Sequence, residues 1–339
     1  MRLVLVGTVS ALSLALMACD GGSSTPTPTP TPTPTGTPTP TPTPTAITYT
    51  TSETALQYTT EGGVQRVANT QSVAPAMGTV FAFDPALNGY AYTLLNGTVN
   101  PSPSEVAIFT PASGKPCDVP TLCIGNGFVF QQVPAGAGFY YLSRLLSGTG
   151  NPLVVLSFTS FGLFEETFVG GPRRHVDLRP FAYGVSSPAG AIPATGTATF
   201  NGLFVGQATG NKPGATGTSN IYKLTGTFQL VANYAAGTAT LKLNIDGEAT
   251  GCTTCSPDLD LTYDSTAGTI ASGVISFTLP NGGSARFFLA GGRAADPAAT
   301  PPTIAVPPTE VAGSFALTAA DPNEAAVTMV IAGGGGGLR

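Results

Sequence analysis

Charge is what this sequence has least of. Asp, Glu, Lys and Arg make up 9% of its 339 residues, against roughly 25% in ordinary globular chains. The net charge is −5 and no basic block occurs, which argues against a phosphate-binding surface and so against nucleic acid as a partner. There is one histidine, His175. A Ser-His-Asp relay would need that residue itself, and no Gly-x-Ser-x-Gly turn is present to carry the nucleophile. No convincing amphipathic helix is visible. The Gly-rich run Ala332–Gly337 is followed by no helix and is therefore no phosphate loop. Asp258, Asp260 and Asp264 lack the spacing and the glycine of a calcium loop. Glu165 and Glu166 are adjacent, so in a strand they point to opposite faces and cannot converge as a catalytic pair; they are expected to end a strand in water. Arg173-Arg174-His175 is expected in a solvated loop. No cofactor, no metal and no catalytic constellation follow from these residues.

What the chain does have is proline, glycine and small polar residues. Its 31 prolines and 43 glycines are unevenly spread. Thr25–Thr45 is Thr-Pro repeated, broken once at Gly36. Each proline fixes its own φ and holds its predecessor extended, so this tract forms polyproline II without a core. At ~3.1 Å per residue it could reach about 60 Å. Before it, Met1-Arg2, the apolar run Leu3–Leu16 and Leu16-Met17-Ala18-Cys19 have the charged, apolar and small-residue regions of a secretory signal. A cysteine at that place reads as a lipobox, with Cys19 acylated and anchored through acyl-chain burial. Asp20 leaves open which membrane receives the protein. The expected organisation is a signal peptide over 1–18, a lipid-anchored spacer over 19–45, a β-rich region over 46–152 and a barrel over 153–339.

Four cysteines then remain, as local pairs Cys117/Cys123 and Cys252/Cys255. In an exported chain an even remainder fits disulfides. A redox dithiol or zinc ligation are the alternatives. However, Cys252-Thr-Thr-Cys255 lies in a Gly/Thr/Pro-rich stretch and not at a helix start, where the dipole would lower a thiol pKa.

The strongest pattern is a period of two. From Leu224 to Tyr234 apolar residues and Gly226 alternate with Thr225, Thr227, Gln229 and Asn233, Val231 being the one lapse. After Ala235-Ala236-Gly237, the residues Ala239, Leu241, Leu243 and Ile245 alternate with Thr240, Lys242 and Asn244. This predicts a hairpin with one apolar and one wetted face. Earlier strands are predicted near 78–83, 90–95, 105–110, 128–132 and 139–146, with Asn88-Gly89 as a turn. Eight further strands are predicted at about 153–164, 177–187, 196–208, 219–234, 238–250, 270–280, 283–291 and 311–319. The fold class is all-β. An eight-stranded antiparallel up-and-down barrel buries the apolar face and leaves no open edge, preceded by a smaller β-rich, handle-like region. A two-sheet sandwich is the alternative.

Several ordered pieces of the regular half resemble the β-barrel domain of the transferrin-binding protein B family. Ser157–Phe164 is similar to its aromatic-glycine strand, and Phe181-Ala182-Tyr183-Gly184 to the next short strand. Ile192–Gly202, with Gly196, Ala198, Phe200 and Gly202, resembles its Pro-x-x-Gly-x-Ala-x-Tyr-x-Gly strand. Gly313-Ser314-Phe315, Glu324 and the closing glycines look like a worn version of its terminus. The chain has no tryptophan and is smaller than the two-lobed members, and 46–152 has no recognisable match, so no binding residue is carried over. The resemblance implies a non-enzymatic outer-membrane lipoprotein that captures a protein or solute. Iron or haem acquisition beside a TonB-dependent outer-membrane receptor would be its setting. An envelope structural or adhesive protein and a lipocalin-like binder of a small apolar molecule remain as alternatives.

Overall fold

The computed structural model describes residues 46–61, 64–94, 105–114, 127–135, 138–146, 151–171, 173–211, 221–250, 259–264, 267–291, 307–321 and 324–339. Within them the secondary structure is β, apart from three single 3-10 turns. The first part of the chain supplies β1 (Ile47–Thr48), β2 (Thr50–Glu61), β3 (Val64–Gly78), β4 (Phe81–Asp84), β5 (Gly89–Leu94) and β6 (Glu105–Phe109). It continues with β7 (Phe128–Ala135), β8 (Gly138–Leu145), β9 (Thr159–Gly170) and β10 (Arg173–Gly184). The second part supplies β11 (Thr197–Asn211), β12 (Ile221–Asn233), β13 (Thr238–Thr250), β14 (Leu259–Asp264) and β15 (Gly268–Ala271). It ends with β16 (Val274–Thr278), β17 (Ser284–Ala290), β18 (Glu310–Asp321) and β19 (Glu324–Leu338).

β11 to β19 close into an antiparallel ring: β12 pairs β11, then β19, β18, β17, β16 and β15 follow, and β13 returns to β12. β14 and β15 lie one after the other along the same side of β13 and fill one position between them, so the ring has eight. Closure pairs the wall around the ring, and within it β14 alone has a strand partner on one side only among the described residues. The predicted hairpin is β12–β13, and its register places Phe228 opposite Leu243 and Leu230 opposite Leu241. Their apolar residues point inward and their Thr, Gln, Lys and Asn residues outward, as the alternation requires. This polarity is the reverse of a membrane-spanning barrel, whose lumen is polar and whose outer band is apolar.

The strand count agrees with expectation, but the membership differs. The stretches expected to open the barrel at 153–164 and 177–187 become β9 and β10, and these pair with each other inside a six-stranded sheet ordered β3-β2-β10-β9-β8-β7. One face of that sheet covers the barrel wall, where Leu56, Leu163, Val176 and Leu178 pack on Val205, Phe288, Ala312 and Val330. The other face packs on a four-stranded sheet ordered β1-β4-β5-β6, through Phe164, Phe181 and Tyr183 against Phe81, Tyr92 and Phe109. β9 and β10 are therefore covered on both faces, so neither shows the one-face-wet pattern of β12 and β13: β9 carries Phe161-Gly162-Leu163-Phe164 ahead of two buried glutamates, and β10 places Asp177 and Arg179 among apolar residues. In their place the ring takes β19 and a split strand. The predicted 270–280 strand is a tight hairpin, β15–β16, turning at Ser272 and Gly273, both with positive φ. β2 and β3 have no counterpart among the predicted strands: Thr50–Gly78 is rich in Thr, Ser and Gln, with large apolar residues few and widely spaced.

Candidate functional site

The barrel interior is filled from its own walls. Phe200, Phe204, Tyr222, Phe228, Phe287 and Phe315 are fully or almost fully buried there with Leu224, Leu241, Leu243 and Ile331. The rings fit because glycines on neighbouring strands make room for them. A Cβ on Gly202 would meet the Phe228 ring, one on Gly226 the Phe204 ring, and one on Gly333 the Phe315 ring at 2.5 Å. Phe204 and Phe315 meet edge to face, with centroids 4.9 Å apart at 88°, the arrangement aromatic quadrupoles favour. Eight strands leave an interior just wide enough for side chains or one small ligand; here side chains occupy it.

The residues singled out by the family resemblance are mostly packing residues of this kind. Ala198, Phe200 and Gly202 lie on the inner face of β11, and Gly313 and Phe315 on that of β18. Gly196 precedes β11 with a positive φ of 86°. Tyr183 is buried between the two sheets of the handle, and at Gly184 a Cβ would strike the backbone carbonyl of Phe158. Cys19, Cys117, Cys123, Cys252 and Cys255 lie outside the described residues, as does Asp258. Among the described residues no group of three or more His, Cys, Asp or Glu side chains is arranged to hold a metal ion. Asp260 stands opposite Asp246 on the outer wall, and Asp264 lies 3.8 Å from Lys242 Nζ.

Five ionisable positions differ from expectation. Arg173, Arg174 and His175 are in β10 and not in a loop, with His175 Nδ1 3.0 Å from Thr59 Oγ1. Glu165 and Glu166 do point to opposite faces, but both are buried inside β9 and not at a wetted strand end. Glu165, 1% exposed, accepts from Thr167 Oγ1 at 2.7 Å and Arg174 Nη2 at 3.1 Å. A buried carboxylate persists when a cation and donors replace its water.

Two polar devices that the sequence did not announce hold the handle to the barrel. Glu310, 2% exposed at the start of β18, accepts backbone N–H groups from Ser157 (2.6 Å), Phe158 (3.0 Å) and Thr159 (2.9 Å), and the Thr159 hydroxyl at 2.8 Å. It thereby pins the segment leading into β9. Ser52 of β2 donates to the Arg286 carbonyl at 2.8 Å and accepts from the Ser314 N–H at 3.1 Å. Gly334 of β19 lets the sheets approach: a Cβ there would sit 2.8 Å from the Phe181 backbone nitrogen. A third cluster, Glu53 with Tyr92, Asp177 and Arg179, lies between the handle's two sheets. Asp177 and Arg179 stand two apart, on one face of a strand, and that spacing was the available signal.

Where the handle leaves the barrel wall there is a cleft of about 340 Å³. Phe128, Leu153, Phe161, Leu203 and Val205 give it an apolar lining, and Thr225, Thr227 and Asp246 a polar one. Leu153 and nearby Leu146 and Val155 are exposed. Asn151 fixes this corner through its amide, which donates to the carbonyls of Gly127 (2.9 Å) and Leu146 (2.7 Å) and accepts from the Leu153 N–H (2.8 Å). Such a surface can receive an apolar group of a partner.

No family model matches the chain, and neither does any curated protein. Among solved structures it is similar to a mutant of transferrin binding protein B from Haemophilus parasuis, with 11% identity and a TM-score of 0.36 over 80% of this chain and 48% of that one. It is also similar to isotype 1 transferrin binding protein B from serogroup B Neisseria meningitidis, with 12% identity and a TM-score of 0.33 over 84% of this chain and 43% of that one. The chain spans about half the length of these proteins.

Proposed function

We propose that this chain is a non-enzymatic, lipid-anchored binding protein of the cell envelope, which captures a protein or solute on the outside of a solid barrel. The observation that carries this reading is the filled interior: Phe204, Phe228, Phe287 and Phe315 stand where a lipocalin-like ligand would lie. A ligand therefore belongs to the handle, the loops and the outer cleft, where a rigid scaffold presents them. The lipobox at Cys19 and the Thr-Pro spacer support presentation away from a membrane surface. The sequence pieces similar to the transferrin-binding protein B family support capture in iron or haem acquisition, beside a TonB-dependent outer-membrane receptor. Cys117/Cys123 and Cys252/Cys255 would be disulfides closing local loops.

Immobilised full-length protein, challenged with a panel of purified iron and haem carriers, tests the reading together with growth of a deletion strain under iron limitation. Saturable retention of one carrier and an iron-dependent growth defect are the expected results. Neither retention nor a defect would refute capture and favour a structural or adhesive role.

A further inference from the structure

The contact between the handle's two sheets is apolar, with Val80, Leu94, Ala107 and Leu142 beside the aromatic rings, and it contains an ionic cluster. Arg179 of β10 grips Asp177 with two bonds, Nε to Oδ1 at 3.2 Å and Nη2 to Oδ2 at 3.0 Å, whereas its Nη1 stands 3.5 Å from Glu53 Oε1 of β2. Gln57 Nε2 adds a bond to Asp177 Oδ2 at 3.1 Å. Tyr92 reaches across from β5, its ring stacked on Phe164 with centroids 4.1 Å apart, and donates its hydroxyl to Glu53 Oε2. Two carboxylates thus share one guanidinium, and Asp177 holds the better share.

Other ionisable groups among the described residues lie around this cluster, Arg173 further along β10 among them. On β9, Glu166 lies directly opposite Asp177 and adds a further carboxylate; Tyr140 of β8 is its neighbour. His175 is two residues along β10, bonded to Thr59. Arg144 of β8 is engaged elsewhere, over the Tyr90 ring of β5 at 4.1 Å. A partly compensated carboxylate removed from water is costly in its charged form.

We propose that Glu53 is a proton-binding site, and that mild acidification tightens the docking of the four-stranded sheet (β1-β4-β5-β6) on the six-stranded one. Burial raises the Glu53 carboxyl above its ordinary range, against the opposing pull of the Tyr92 hydrogen bond and the Arg179 charge. The sign follows from linkage. A carboxyl whose folded-state pKa lies above its unfolded one contributes stability that is full below the unfolded value and is lost as pH rises through the folded value. The neutral acid keeps a hydrogen bond to Tyr92 in either direction, so protonation removes the charge without breaking the link between sheets.

Hydrogen exchange of peptides covering 81–94 in the full-length chain, at pH 7 and pH 5 and corrected for intrinsic exchange rates, tests this in the wild type, Glu53→Gln and His175→Gln. Glutamine can turn its oxygen to Arg179 and give an N–H to the Tyr92 oxygen. Glu53→Gln is expected to protect β4 and β5 better than the wild type at pH 7. That advantage should shrink by up to about tenfold per pH unit on acidification, and His175→Gln should leave it in place. An equal gap at both pH values, a less protected Glu53→Gln at pH 7, or a gap abolished by His175→Gln would overturn the proposal. Should Glu53→Gln fail to fold, carbon-13 NMR of the wild-type glutamate carboxyls decides: one carboxyl titrating above the ordinary range supports it, and none doing so refutes it.

Discussion

Glu310 offers a quantitative test of how the handle is fastened to the barrel. All four of its hydrogen bonds go to Ser157, Phe158 and Thr159, and the two carboxylate oxygens carry unequal loads. Oε1 accepts only the Ser157 N–H, whereas Oε2 accepts the Phe158 N–H and both Thr159 donors. Glu310→Gln can keep the three bonds on its amide oxygen but turns an NH2 group towards the Ser157 N–H. It loses one charge-assisted bond, worth about 1.5–3 kcal/mol. Glu310→Ala strands both Thr159 donors, which are buried, at about 1–3 kcal/mol each; Ser157 is exposed and recovers water. About 2–6 kcal/mol follows for alanine. With a urea m-value of about 3 kcal/mol/M, the midpoint should fall by about 0.5–1 M for glutamine and about 0.7–2 M for alanine, more for alanine than for glutamine. Tyrosine fluorescence can follow it, since the chain has ten tyrosines and no tryptophan. Hydrogen exchange should speed first in 157–170. Midpoints unmoved by alanine, or glutamine costing as much as alanine, would refute this division of labour.

Further perturbations follow from the same packing. Gly334→Ala places a methyl group against the Phe181 backbone and should cost about 1–3 kcal/mol as overpacking, read as a lower melting temperature. Phe315→Ala empties the space between Gly333 and Phe204 and should cost about 3–5 kcal/mol, measurable by urea unfolding. Tyr92→Phe keeps the stack on Phe164 and removes the hydroxyl donated to Glu53, for about 1–2 kcal/mol. Because that bond lowers the Glu53 pKa, its loss lifts the carboxyl further, and the penalty should be larger at pH 7 than at pH 5.

What could be seen in the sequence depended on how many faces of a strand are covered. β12 and β13 have one face in the core and one in water, so alternation located them to within a residue or two. β9 and β10 are covered on both faces, and their mixed apolar and charged residues point to strands but not to a partner sheet. β19 hid for a different reason: Gly333–Gly337 has no side chains to alternate, because the run lies between the aromatic interior on one side and the handle sheet on the other. The polar anchors were invisible for the opposite cause. Glu310 and Glu53 look like ordinary surface acids until the fold brings Ser157–Thr159 and Tyr92 to them from over a hundred and from 39 positions away. The motif residues Phe200, Gly202, Gly313 and Phe315 were legible as a pattern, and their work is to fill and shape the barrel.

The filled interior is tested most directly by titrating the full-length protein with a fluorescent fatty-acid analogue, wild type beside Phe228→Ala. A solid barrel predicts no saturable site in the wild type and a new one once the Phe228 ring is removed. Stoichiometric binding by the wild type, weakened by refilling the interior, would contradict it.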